Sequence, residues 1–239
     1  MIPSVTEAQV LTALGNLLTV LLPQLTPSNI IIGQVNRVAS PEGDYVVMWP
    51  LNRPRLGTNF EEPEDCKFTA SIAADQMTVT ELFSGEIEAG NQVFGLGIAN
   101  NTVVQSQSGG TPGGIGIYLV TPAQTVTSET MSAGTLSIAT STEFIAQLDV
   151  HGPNSGDNAQ VISNAIRSEF AVNQMAGTGV TPLFSDDPRQ AVFETAAKQF
   201  DERWTVDVHL QITPSISTPQ EFYDAVDLTL VDVDVVYPD

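Results

Sequence analysis

Basic residues are scarce in this sequence: Lys and Arg number 8 against 28 Asp and Glu, for a net charge of -20. A protein that grips nucleic acid through its phosphates needs a basic stripe, which this chain cannot supply. Docking on an anionic membrane surface is disfavoured for the same reason. Cysteine is nearly absent. The single Cys66 excludes an intramolecular disulfide and any cysteine-based zinc cluster. Long apolar runs are missing as well. The longest, Val10 to Leu22, is interrupted by Gly15 and Asn16 and stopped by Pro23, so it is too short and too polar to span a bilayer. No basic segment precedes it, and it does not read as a secretory signal. With 42% hydrophobic and 15% charged residues in 239, the composition suits packed cores in one large or two modest domains.

What is present has two textures. The chain opens on a helix: Ser4 and Glu7 have capping-box spacing, Val10, Leu14, Leu17, Leu18 and Leu21 make one apolar face, and Pro23 ends it. Strands are predicted over Asn29–Val35 and Tyr45–Pro50. The turn chemistry of Ser40-Pro41-Glu42-Gly43 between them predicts an antiparallel hairpin. The texture then changes, and from Phe68 to Ile166 there is no Lys or Arg. Short β-branched runs (Met77–Thr80, Gln92–Phe94, Ile117–Val120) separated by glycine-bearing turns predict a small sandwich or barrel. The cluster Gly109–Gly114 reads as a loop tip between two strands.

The first texture returns at Phe144–His151, which alternates like a half-buried strand. The turn Gly152–Gly156 follows. Asp157 then reads as the cap of a helix running through Val161, Ala165, Ile166 and Phe170 toward Met175. Trp204–Ile212 and Val226–Val236 alternate again, the latter with Asp227, Asp232 and Asp234 among its apolar residues. The plan is an α+β domain interrupted by an all-β module between about Cys66 and Thr142.

Candidate chemistry is thin. His151 and Asp149 share one strand face, where a metal site can begin, but a strand-end histidine beside a Gly-Pro turn is the plainer reading. No Gly-x-Ser-x-Gly elbow marks a nucleophilic serine. Gly95-Leu96-Gly97 lacks the third glycine and the helix of a dinucleotide fingerprint. Asp186-Asp187 and the C-terminal aspartates lack the alternating spacing and glycine turn of a calcium loop, and read as solvated acid. Arg53 and Arg55 flank Pro54 in a loop, where they either meet an acidic partner or phosphate or, the plainer reading, neutralise Glu61, Glu62 and Glu64. No enzyme class emerges.

Several separated motifs resemble one family. Gln147-Leu148-Asp149-Val150-His151-Gly152-Pro153 with Asp157-Asn158-Ala159 is similar to the strand, Asp-Val-Tyr-Gly-like turn and helix of the phage neck terminators. The likeness continues in Arg167–Phe170, Pro182–Pro188 and Gln199–Val206, and earlier in Tyr45–Met48 and Arg53–Thr58. His151 stands where the family more often has an aromatic. The resemblance covers roughly residues 1–65 and 143–239, a discontinuous domain. Residues 66–142 look instead like a small β module that decorates tailed-phage proteins, and their exposure on the virion surface is what that likeness implies.

The resemblance implies an α+β fold, a mixed or antiparallel sheet flanked by helices, tail-terminator-like, with the all-β module inserted. It implies a structural virion protein of a tailed bacteriophage, assembled in the host cytoplasm. The expected assembly is a six-fold homo-oligomeric ring at the neck that caps the tail tube, joins the head connector and leaves a channel for DNA. The partners are then other copies of the chain, the tail tube protein and head-connector or adaptor proteins; DNA passes without specific binding, and no membrane, metal or cofactor is involved. Arg53, Arg55, Leu228, Val233 and Val235 are the expected interface residues, since they lie outside the insert. The acid either lines the channel or keeps the outer surface soluble. The rival expectation is a surface-decorating or host-carbohydrate-binding protein acting through the β module.

Overall fold

The first helix starts later than the Ser4–Glu7 spacing predicts. Thr6 is its N-cap and forms a capping box with Gln9: the Gln9 amide donates to the Thr6 hydroxyl at 3.4 Å, and the Thr6 amide donates to Gln9 Oε1 at 2.7 Å. Ser4 instead exchanges backbone and side-chain hydrogen bonds with Ser215.

The computed structural model describes residues 2–33, 41–191, 193–194 and 200–221. In chain order its elements are α1 (Glu7–Leu21), β1 (Ile30–Ile32), β2 (Tyr45–Asn52), β3 (Phe60–Glu64), β4 (Lys67–Ser84), β5 (Val103–Gly110), β6 (Gly116–Ser132), β7 (Thr135–Ala139) and β8 (Thr142–His151). There follow α2 (Ser155–Ile166), α3 (Glu169–Gln174), β9 (Val180–Ser185), the short β10 (Arg189–Gln190), β11 (Phe193–Glu194) and β12 (Phe200–Asp201), then β13 (Arg203–Ile212) and β14 (Ser215–Pro219). The protein is β-rich, with one mixed sheet and otherwise antiparallel pairing. It divides into two units, Met1–Glu61 with Ile138–Ile216, and Glu62–Ser137 with the chain from Ser217. A separate three-stranded sheet has the order β14-β7-β3.

The first unit is built on a sheet of order β1-β2-β8-β13-β10, with β9 pairing β13 beside β10. Strands β8 and β13 pair antiparallel from Arg203–His151 to Ile212–Thr142. Period-two alternation sends Phe144, Ala146, Leu148 and Val150 to the same side as Val206, Val208, Leu210 and Ile212. These join Val10, Leu14, Leu17 and Leu18 of α1 and Ala159, Ile162 and Ile166 of α2 in one core. Each Val, Leu, Ile or Phe side chain among them contributes about 1.5–3 kcal/mol on burial.

Two local expectations fail here. Strands β1 and β2 are parallel, with Ile30 opposite Val46 and Ile32 opposite Met48, not an antiparallel hairpin. Parallel neighbours cannot be joined by a tight turn, so the turn chemistry of Pro41–Gly43 alone does not reveal the strand direction. The helix expected from Asp157 to Met175 is broken at Arg167–Ser168 into α2 and α3, because Ser168 Oγ bonds the Ala165 carbonyl at 2.6 Å and competes with the helical ladder. The N-cap is Asn154, and Asp157 sits in the first turn. The strand expected over Val226–Val236, with Leu228, Val233 and Val235, lies outside the described residues.

The second unit has fewer and longer strands than its short runs suggest: β4, β6 and β5 form one antiparallel sheet in the order β4-β6-β5. Burial in β4 falls on Phe68, Ala70 and Ile72, then on Met77 and Val79. The parity flips at a bulge around Ala74, whose φ of 58° is left-handed, and the flip keeps the apolar side turned inward along a bent strand. The core gathers those residues with Tyr118, Val120, Val126 and Met131 of β6. At the β5–β6 hairpin, glycine is required: a Cβ on Gly116 would stand 2.1 Å from the Gly109 carbonyl oxygen.

Candidate functional site

The same alternation that fills the first core puts polar and aromatic side chains on the opposite face of the sheet, where they pair across strands. Asp149, 5% exposed, accepts from Trp49 Nε1 at 2.9 Å and from Arg203 at 2.7 Å. Asp207 accepts from Gln147 at 3.1 Å and from Arg189 at 2.9 Å. His209 Nδ1 lies 2.6 Å from Glu143 Oε1, its Nε2 lies 3.8 Å from Asp186, and its ring stacks on Phe184 with centroids 4.1 Å apart. His151 stacks on Tyr45 at 4.5 Å. Asp149 and His151 therefore do share a face, but Asp149 Oδ2 is already taken by Trp49 and Arg203. Among the described residues no group of three His, Cys, Asp or Glu is arranged to hold a metal ion.

The two loop arginines have different fates. Arg53 pairs with Glu7 of α1, and its guanidinium lies 4.9 Å from the Phe144 ring centroid, so it does not neutralise Glu61, Glu62 or Glu64. Arg55 is held by its backbone, bridged to Thr142, while its side chain is exposed and has no side-chain partner among the described residues. Leu228, Val233 and Val235 lie outside the described residues. The other described cations are engaged: Arg167 bonds the Ser185 carbonyl and Asp187, Arg189 pairs with Asp207, Arg203 with Asp149, and Lys67 lies over Phe83. Among the described residues little basic surface is left for a phosphate backbone.

The second unit carries a cavity of about 480 Å³ whose lining includes Glu64, Asp65, Glu86, Glu88 and Asn91. Its acid repels phosphate. Cys66 also lines it, but burial, reinforced by the Asp65 charge, pushes the thiol up to about 11. A thiol of that kind is protonated at neutral pH and a poor nucleophile. A carbohydrate platform needs exposed aromatic rings. Phe68 and Tyr118 are fully buried, the Tyr118 hydroxyl being spent on the Gly114 carbonyl at 2.6 Å, and the exposed Phe83 stands beside Lys67.

The polar pairing across the outer sheet face escapes a residue-by-residue search. Its signal is available in the alternation of β8 and β13, since Glu143, Gln147 and Asp149 share one parity, as do Arg203, Asp207 and His209.

The family model described as phage neck terminator protein matches residues 87–234, well over half of the chain. The matched span takes in much of the second unit, which the sequence resemblance left out, and begins beyond residues 1–65, which it included. No curated protein matches the chain.

Proposed function

The chain belongs to the phage neck terminator family, and from that membership we propose that it acts as a homo-oligomeric ring, six-fold, at the head–tail junction. Membership makes it a component of the phage neck and implies association with other head and tail proteins of the virion. In the proposed assembly the ring caps the tail tube, binds the head-connector or adaptor proteins and encloses a channel for DNA. The subunits come together in the host cytoplasm and remain in the virion neck. Its work is contact area, without catalysis, metal or cofactor.

The observation that carries this reading is the family match. The charge distribution supports the channel: a net charge of -20, with described arginines largely engaged by carboxylates, lets DNA pass without being held. The proposed ring and partner contacts are Arg53, Arg55 and the C-terminal segment with Leu228, Val233 and Val235. The β module, residues 66–142, is proposed as an insertion exposed on the virion surface. Among the described residues no helix is long and apolar enough to cross a membrane.

Negative-stain images of the purified protein, alone and mixed with tail tubes, test the proposal. Closed rings and tubes capped at one end are expected. Bare tubes beside a protein that never forms rings would overturn it.

A further inference from the structure

From Ala89 to Ser128 the chain contains no Asp, Glu, Lys, Arg or His, in a protein whose net charge is -20. This run supplies β5 and most of β6, and the β4 stretches that pair with it, Ile72–Ala74 and Gln76–Val79, are uncharged as well, with the exposed Asp75 between them. Register fixes what the outer face presents. Tyr118 and Val120 point into the core, so their neighbours Ile117 and Leu119 point out, 36% and 37% exposed. Leu119 lies between Gln76 of β4 and Ser106 of β5, and Ile117 lies between Thr78 and Gly109. Two branched apolar side chains thus stand beside a lane of β5 whose register partners are Ser106 and Gly109, with the exposed, uncharged Gln105 and Ser108 at the register shifts beside them. The result is an apolar row beside a lane of small and polar residues, with every register partner of Ile117 and Leu119 uncharged.

We infer that this face is where two copies of the chain meet, the Ile117 and Leu119 row of one seated on the Ser106–Gly109 lane of the other. The charge balance selects the occupant. Two chains of net charge -20 repel, and an acidic contact surface would add the desolvation of like charges to that repulsion. A neutral face lets copies approach with neither cost. A basic partner would favour the acidic surfaces of the same unit over this one. The inference goes beyond the neck-ring reading, whose proposed contacts lie outside the β module.

The test is sedimentation equilibrium of the full chain against two variants, with folding checked by circular dichroism. Ile117→Glu with Leu119→Glu places two carboxylates in the contact. Ser106→Glu charges the lane while leaving the module core untouched, which keeps the test decisive if the double variant fails to fold. Self-association of the wild type, weakened at least about tenfold by either folded variant, is expected because a buried unpaired charge is costly. A control, Val161→Glu with Val172→Glu on exposed helix positions of the first unit, should associate as wild type. Because the contact is uncharged and the chains repel, wild-type association should also strengthen as salt is raised. A monomeric wild type, unaltered association in the Ser106 variant, or equal loss in the control would each overturn the inference. A wild type that is monomeric alone but caps tail tubes would overturn this contact and leave the neck assignment standing.

Discussion

The Asp44 carboxylate, just ahead of β2, accepts both the backbone amide of Asn154 at 3.0 Å and its side-chain amide at 2.7 Å. Asn154 is the N-cap of α2, so a residue 110 positions away in sequence fixes where that helix begins. Asn29 adds a bond to the Asp44 carbonyl at 3.2 Å, tying the entry to β1 into the same knot. Asp44→Ala should destabilise the protein by about 1–2 kcal/mol, the range for hydrogen bonds to a charged group that is partly solvated. Gly152→Ala should cost more, since φ there is 101° and a Cβ would lie 2.4 Å from Asp44 Oδ1. Urea unfolding measures both. An Ala at 152 milder than the Ala at 44 would show that the knot is looser than described.

The knot also shows what sequence reading reaches and where it stops. Strands β8 and β13 are legible because one face of each is apolar at every second residue, and α1 because its leucines recur at helical steps. The parallel pairing of β1 with β2 is not, since the local turn residues fit a hairpin equally well. The capping signal is ambiguous by two residues because Ser4–Glu7 and Thr6–Gln9 have the same spacing, and only the tertiary bond between Ser4 and Ser215 separates them. The length of β4 was hidden by its bulge, which shifts the buried parity at Ala74 and makes one strand look like two. Among candidate site residues, the arginine loop was legible as charge next to proline. Which arginine is spent depends on Glu7, a residue 46 positions away that no local pattern indicates.

Cys66 gives a prediction about alkaline stability. Burial and the neighbouring Asp65 raise the thiol from 9.0 to about 11 in the folded chain. Between those values the unfolded chain has released its proton while the folded chain retains it, so stability falls as pH rises from about 9 to 11. Cys66→Ala should remove that part of the decline. Denaturation midpoints of the two proteins at pH 8 and pH 10.5 check it, with the gap between them shifting in favour of the alanine variant at the higher pH. Parallel declines would show that burial does not hold the proton.

The β module should be separable. Its long strands begin and end beside one another, the Ala133 amide donating to the Cys66 carbonyl at 2.9 Å. A short Gly/Ser bridge can therefore replace residues 67–132 without stretching the chain. The core around α1, α2, β8 and β13 contains no residue of that segment. The shortened protein should be soluble, cooperative in thermal unfolding and unchanged in the hydrogen-exchange protection of β8 and β13. Loss of that protection would mean that the first core depends on the module.

Arg55 is the last test, because it separates a residue that holds the fold from one kept free for a partner. Arg53 is tied to Glu7 through side chains that are 42% and 47% exposed, a pair worth less than about 1 kcal/mol, and lies over Phe144. Arg55 has no such tie among the described residues, so Arg55→Glu should change stability by no more than about 0.5 kcal/mol. If the loop meets an acidic surface of a neck or tail protein, the same substitution should weaken binding to tail tubes about tenfold or more, by trading an attraction for a repulsion. That binding should fade as salt is raised, opposite in sign to association through the uncharged β face. Co-sedimentation with tail tubes at low and high salt reads both effects. An Arg55→Glu protein that binds as wild type at low salt would remove the arginine loop from the proposed contacts.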